Sequence, residues 1–273
     1  PRTCDASKVA NLKRLGLNRM SLGVQDFNPE VQKAVNRIQP FDMTKATIDA
    51  ARENGFESIN MDLIYGLPKQ TRETFAKTID QVLELSPDRI ALYHYAHLPN
   101  HFKSQRRILP ADLPDTVEKV NIMFDAITRL TANGYRYIGM DHFAKEDDEL
   151  SIAQREGTLQ RNFQGYSPRA ECDMVALGVS AISKIDNAYA CNPRELEDYY
   201  AAIRAGHLAT NRGYWLNDDD ELRRSVIMTI MCNFELKKRG VEARFGINFD
   251  ETFDYEWSKL TPYMKHAHCE LSA

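Results

Sequence analysis

The chain has 273 residues, 43% hydrophobic and 27% charged, with a formal net charge of −4, which is the composition of an ordinary globular protein. That length accommodates one large α/β domain, alone or with a small appendage. The slight acidity excludes the basic footprint of a nucleic-acid binder, and no apolar run reaches the roughly 18–20 residues that span a bilayer.

The first half repeats one unit: an amphipathic helix closed by glycine, then a strand. A helix ends over 11–15 at Gly16, and a strand follows over Arg19–Gln25. A helix over 43–53 closes at Asn54-Gly55 before a strand over 58–64. A helix over 75–85 stops before Pro87, and a strand follows over Arg89–His94. A helix over 117–132 closes at Asn133-Gly134 before a strand over 136–140. Glycine just past a helix is the expected left-handed cap. In the last of these helices Val117, Val120, Phe124 and Ile127 fall at helical spacing and form one apolar stripe, which is expected to face the core. Strands alternating with helices predict an α/β fold with a parallel sheet and right-handed crossovers, either a (β/α) barrel or a doubly wound sheet. No G-x-G-x-x-G follows a strand and no P-loop is present, which argues against dinucleotide and P-loop chemistry.

Beyond Met140 the regularity fades. Residues 145–170 read as a polar loop, and 173–185 as a strand with a turn. Asn192-Pro193 suits the cap and first turn of a helix running to about residue 207. A helix over 221–232 and a short turn over 240–245 complete a small helical domain, expected over 195–273.

The strand 58–64 carries Asp62 near its C-terminal end, where α/β enzymes place their chemistry. A carboxylate there either holds a ligand or is paired within the fold, and the residues alone leave both readings open. Gln25 ends the preceding strand, and the next ends in the aromatic, histidine-rich run Leu92 to His97. An amide, a carboxylate and several donors on one rim would suit a ligand with hydroxyls and an amino group, such as a nucleoside. Arg37 could grip a carboxylate with two parallel hydrogen bonds. His94, His97 and His101 are read as ordinary hydrogen-bonding residues, because Pro99 interrupts any single helix carrying all three. Asp141-His142 is read as a structural pair, with acid/base work as its alternative. The carboxylates of 146–149 are expected in a solvated loop. The five cysteines, Cys4, Cys172, Cys191, Cys232 and Cys269, share no metal-ligand spacing, so reduced structural thiols and no metal site are expected. No signal-peptide pattern opens the chain, and a cytoplasmic location is expected.

In order along the chain come Gly23-Val24-Gln25-Asp26-Phe27, Asn36-Arg37-Ile38-Gln39, Asp62-Leu63-Ile64-Tyr65-Gly66-Leu67-Pro68, Tyr95-Ala96-His97-Leu98-Pro99, Gly139-Met140-Asp141-His142-Phe143-Ala144, Asn162-Phe163-Gln164-Gly165-Tyr166 and Gly178-Val179-Ser180-Ala181-Ile182-Ser183. Together they closely resemble the oxygen-independent coproporphyrinogen III oxidases, radical S-adenosylmethionine (SAM) enzymes of haem biosynthesis. A haem-chaperone relative, which shares the pattern from Asp62 to Pro68, is the alternative: a porphyrin-binding protein without decarboxylase activity. The resemblance implies an incomplete, open (β/α)6-type radical SAM barrel over 1–194 and the helical domain over 195–273. It implies a radical, derived from SAM at a 4Fe–4S cluster, that converts two propionates of coproporphyrinogen III to vinyl groups and yields protoporphyrinogen IX. It implies contacts to SAM from Gln25, Arg37, Asp62 and Ala96, with Ile182 packing on it. It also implies an electron donor and a monomer. The family's C-x-x-x-C-x-x-C loop does not occur, so the cluster ligands are expected upstream of Pro1, and a fragment that is inactive and of low stability is expected. The final residues, His266 to Ala273, depart from the family's usual continuation. Arg106, Arg107, Arg155 and Arg161 are candidates for gripping the substrate's carboxylates, because cations suit propionates.

Overall fold

The computed structural model describes residues 1–169 and 172–264. The residues from His266 to Ala273, including Cys269, lie outside the described residues. By its contacts the chain forms two compact units, Pro1–Glu156 and Gly157–Ala273. The boundary at 194/195 concerns family architecture rather than contacts and stays a proposal.

In the first unit, α1 (Ala6–Arg14) leads into β1 (Arg19–Gln25), α2 (Pro29–Ala34) and α3 (Phe41–Glu53) into β2 (Ser58–Tyr65), and α4 (Arg72–Leu85) into β3 (Arg89–His94). After two 3-10 turns, at Lys103–Arg107 and Pro110–Asp112, come α5 (Thr116–Ala132), β4 (Tyr135–Gly139), β5 (His142–Lys145) and α6 (Glu149–Glu156). Local chemistry accounts for the boundaries. Asp5 and Asp115 accept from the third amides of α1 and α5, and Thr71 and Thr74 form a reciprocal capping box on α4. Gly16, Gly55 and Gly134 take the left-handed conformation just past three helices, as the sequence predicts.

The sheet runs β1-β2-β3-β5-β4 and does not close on itself. β1, β2 and β3 are parallel, as predicted, but β5 is antiparallel to both its neighbours. The Asp141-His142 pair therefore sits at a hairpin, where Gly139 and Met140 have positive φ, rather than after the last strand of a parallel set. One face of the sheet carries Leu22, Val24, Ile59, Met61, Leu63, Ile90 and Leu92 into a core shared with Ile48 and Ala51 of α3, Phe75, Ile79 and Val82 of α4, and Ile122, Ala126 and Leu130 of α5. Each fully buried aliphatic side chain contributes about 1.5–3 kcal/mol. The opposite face is polar and is the one that builds the site.

Several expectations are corrected. Val117, Val120 and Phe124 of α5 are exposed, the first and last at 68% and 64%, so of the stripe read as core only Ile127 packs against it. The line that packs is Ile122, Ala126 and Leu130, which begins five residues on and is turned by about 140° around the helix axis. Residues 145–170 hold α6 and a hairpin rather than one loop. The acidic run 146–149 is not simply solvated: the Asp148 side chain is 8% exposed and pairs with Arg89 at 2.9 Å, and Glu149 pairs with Arg89 and Arg19.

The second unit comprises the hairpin β6 (Gln160–Asn162) and β7 (Gly165–Ser167), and the antiparallel strands β8 (Ile182–Ile185) and β9 (Ala188–Cys191). It continues with α7 (Leu196–Arg204), β10 (Arg212–Trp215), α8 (Asp218–Asn233), α9 (Lys238–Phe245), α10 (Phe249–Thr252) and α11 (Asp254–Met264). β10 pairs with β9, so this small sheet spans residue 194/195. α7 is capped at Glu195 rather than at Asn192, whose amide instead donates to the carbonyls of Ala176 and Gly178. Residues 240–245 are part of a helix, not a turn. No helix among the described residues is long and apolar enough to cross a membrane.

Candidate active site

Strand register places Gly23, Asp62, Ala91 and His142 side by side across β1, β2, β3 and β5, on the polar face of the sheet. Parallel partners in register share a face. At the end of β1 a bulge sets two residues, Val24 and Gln25, against Leu63, and Gln25 takes a φ of 71°. Such a bulge re-aims a side chain. The Gln25 amide folds back over Gly23: a Cβ on Gly23 would lie 3.0 Å from Gln25 Nε2 and 3.2 Å from an Arg37 guanidinium nitrogen. Arg37 reaches the same spot from the loop after α2 and donates to the Gly23 carbonyl at 2.6 Å.

Buried polar side chains tie down the backbone that carries these two residues. Gln32 donates to the carbonyls of Asp26 and Gln39 and accepts from the Gln39 amide at 2.8 Å, which ties the loop carrying Arg37 to the end of β1. Asp26, 1% exposed, accepts from Thr78 Oγ1 and Gln70 Nε2, both at 2.6 Å, and from the Asn28 amide at 2.7 Å. Burial pushes its carboxyl up, against the lowering effect of these hydrogen bonds. Gln70 also bonds the Leu67 amide and the Ile64 carbonyl, so one buried network holds the loops after β1 and β2 together.

Asp62 accepts from Asn60 Nδ2 at 2.7 Å and Ser21 Oγ at 3.2 Å. It has no ion pair with any described residue, which argues against the salt-bridged alternative left open by the sequence. Two neutral donors leave carboxylate lone pairs free for a ligand's hydroxyls. Ala96 lies on the loop after β3, where Gln105 bonds both the Ala96 carbonyl, at 3.0 Å, and the Leu98 amide. Gln25, Arg37, Ile64, Tyr95, Lys103 and Arg107 are among the residues lining one cleft of about 640 Å³. The structure thus brings Gln25 and Arg37 together in this cleft. Asp62 lies on the same face, in register with Gly23, and Ala96 adjoins the lining residue Tyr95. Ile182 starts β8 in the second unit and is described there alone.

The histidine-rich strand end divides between the two faces. His94 is in register with Tyr65 on the helix side, with ring centroids 5.1 Å apart, so it does not join the rim. Burial, and then Lys119, lowers its pKa. Tyr93 takes the polar face instead, edge-on to His142, whose Nδ1 lies 2.6 Å from Asp141. Arg155 is held by Glu146 and Arg161 stacks over the Tyr166 ring, whereas Lys103 and Arg107 of the turn at 103–107 line the cleft together with Arg37.

Three buried side-chain atoms in this region have no partner among the described residues: Gln25 Oε1 and Gln39 Oε1, both acceptors, and Arg37 Nε, a donor. Orphaned buried polar atoms are costly unless a ligand completes them. An α-amino acid supplies the matching pair, an ammonium for the amide oxygen and a carboxylate for the guanidinium, and Asp62 offers acceptors to ribose hydroxyls. The residues present therefore fit SAM. They do not fit a 4Fe–4S cluster: no three potential ligands come together among the described residues, and the described cysteines are all unbridged.

Sequence reasoning missed Gly23, Asp26, Gln32, Gln39, Gln70 and Gln105. Their signal was faint, because a glutamine that will be buried looks like any surface glutamine until the loops around it are placed.

Residues 1–82 match the model of the Radical SAM superfamily. Over all 273 residues the chain is 50% identical to an oxygen-independent coproporphyrinogen III oxidase of Pseudomonas aeruginosa, covering 59% of that protein. It is 46% identical over 261 residues to the oxidase of Thermostichus vulcanus, 95% of this chain and 80% of that one. The solved coproporphyrinogen III oxidase of Escherichia coli, described as a radical SAM enzyme, superposes with a TM-score of 0.92 at 46% identity, over 100% of this chain and 63% of that one. The chain thus spans about three-fifths of the length of several curated relatives that it matches. Radical SAM enzymes use SAM and a 4Fe–4S cluster, of which this chain's residues fit the first. By its likeness to the Thermostichus protein across most of both lengths, the chain belongs to the family of oxygen-independent coproporphyrinogen III oxidases.

Proposed function

We propose that the protein to which this chain belongs decarboxylates two propionates of coproporphyrinogen III to vinyl groups, giving protoporphyrinogen IX, and that Gln25, Arg37, Asp62 and Ala96 form the wall of its SAM site. The orphaned atoms on Gln25 and Arg37, near an Asp62 held only by the neutral donors Asn60 and Ser21 among the described residues, are the observation that carries this reading. Bound SAM would supply the radical that removes a hydrogen atom from each propionate, which then loses carbon dioxide and one electron. The chain's own residues bind and orient. Arg37 would hold the methionyl carboxylate while anchored to the Gly23 carbonyl, and Gln25 Oε1 would accept from the amino group. Asp62 would accept from the ribose hydroxyls, and the loop braced by Gln105 would present the Ala96 backbone to adenine. Ile182 is carried as a further apolar contact to SAM on the resemblance alone. On this reading the protein is a cytoplasmic monomer, served by a separate electron donor, with no partnership with nucleic acid or membrane. The relatives above are named as oxidases, not as haem carriers, and that supports turnover over mere porphyrin binding.

The test is anaerobic incubation of the complete, cluster-loaded protein with SAM, a reductant and coproporphyrinogen III. The expected result is SAM-dependent appearance of a divinyl product. Porphyrin bound tightly with no vinyl product would overturn the proposal.

A further inference from the structure

We propose that Lys103 and Arg107, on the 3-10 turn after β3, hold carboxylates of the substrate's propionate side chains and so set which tetrapyrrole the cleft accepts. This rests on the reading of the cleft as the SAM and coproporphyrinogen site.

The cleft of about 640 Å³ is lined by three cations, Arg37, Lys103 and Arg107, and by no Asp or Glu among the described residues. Charges of one sign on one concave wall repel each other unless an anion enters between them. Arg37 has its own anchor in the Gly23 carbonyl. The side chains of Lys103 and Arg107 have no hydrogen bond or ion pair with any described residue, whereas Arg106, between them in sequence, donates to the Pro99 carbonyl at 3.1 Å and does not line the cleft. SAM does not balance this wall. Its sulfonium and ammonium outnumber its single carboxylate, so its arrival adds positive charge. The second ligand of the same cleft must therefore be the anion, and a tetrapyrrole bearing four propionates is one. The turn is held in place by Gln105, which faces the same cleft and is bonded to both Ala96 and Leu98, so the two cations stand on a braced support beside the proposed adenine contact. Guanidinium at 107 suits two-point recognition of one carboxylate, and the ammonium at 103 suits a point contact with another.

The test uses the complete, cluster-loaded protein and the stable oxidised tetracarboxylate, coproporphyrin III, followed by fluorescence quenching. Its tetramethyl ester serves as the uncharged comparison, and SAM affinity is measured by calorimetry. Lys103→Gln and Arg107→Gln should each weaken coproporphyrin binding about ten-fold, more at low salt than at high. Both should leave SAM affinity and ester binding within about two-fold. Arg107→Lys should recover part of the loss, and Arg106→Gln, which removes the same charge outside the cleft, should change little. Unaltered coproporphyrin affinity in both Gln variants would overturn the inference. So would an equal loss in Arg106→Gln, or a parallel fall in SAM affinity. An unmodified protein that binds no coproporphyrin at all would instead overturn the substrate reading beneath it.

Discussion

A methyl group at Gly23 would meet Gln25 Nε2 at 3.0 Å and an Arg37 nitrogen at 3.2 Å, contacts that must relax by moving those two side chains. Both are flexible tips, so the fold can yield and the site cannot. Gly23→Ala should therefore weaken SAM binding about ten-fold while shifting the melting temperature by only a degree or two; this is checked by calorimetry beside thermal unfolding. A large loss of stability with SAM affinity retained would contradict the placement. At this scale the sequence was informative about the polar strand ends and less so about their orientation. Asp62 and Gln25 stand out because polar groups at buried strand ends need a reason. That His94 faces the helices while Tyr93 faces the site follows from a period of two counted from the correct residue. The bulge that re-aims Gln25 leaves no mark in the residue pattern.

Among the elements, the loops after β1 and β2 depend on one buried carboxyl. Burial raises Asp26 above the ordinary carboxyl value of about 4. Between the ordinary and the raised value the folded chain keeps a proton that the unfolded chain has released, so the stability contributed by this group falls as pH rises through that interval. Asp26→Asn removes the titration and leaves one donor, from Gln70 or Thr78, poorly matched, at a cost of about 1–3 kcal/mol. Urea unfolding should show the native chain's margin over this variant to be wider near pH 4 than near pH 7, and a margin that widens with pH would contradict the account. Helix α5 offers a second test. Leu130→Ala should cost about 2–5 kcal/mol, whereas Phe124→Ser, at a position 64% exposed, should cost under about 0.5 kcal/mol. Spacing alone showed one apolar stripe on this helix, and only Ile127 of that stripe packs against the core. Which side packs is decided by where α4 and β2 lie, and that is tertiary information. The helix-glycine-strand repeat was legible for the same reason that it folds locally: each glycine supplies a left-handed cap. The β4–β5 hairpin was not, because its left-handed position falls on Met140, a residue type that rarely takes a positive φ, rather than on a turn-forming residue.

For the molecule as a whole, the first unit's open sheet presents a polar face, while no three potential cluster ligands come together among the described residues. Cys232 is buried and its thiol is pushed up to about 11, and Cys172 is exposed far from it in sequence. Anaerobic reconstitution of the 273-residue chain with iron and sulfide should accordingly give no 4Fe–4S absorption band, and a stoichiometric cluster would contradict the ligand assignment. The family could be read from ordered segments spread along the chain, none decisive alone. The division of contacts at 156/157 could not, since α6 reads as loop until Asp148 and Glu149 are seen pairing with Arg89. The central claim is that SAM binds the polar face at the ends of β1 and β2. It is tested most directly by calorimetric titration of SAM into the complete, cluster-loaded protein carrying Asp62→Ala, beside His94→Ala on the opposite face. Loss of a charge-assisted hydrogen bond, about 1.5–3 kcal/mol, predicts at least a ten-fold weaker Kd for Asp62→Ala and an unchanged Kd for His94→Ala. Undiminished affinity in Asp62→Ala would contradict the claim.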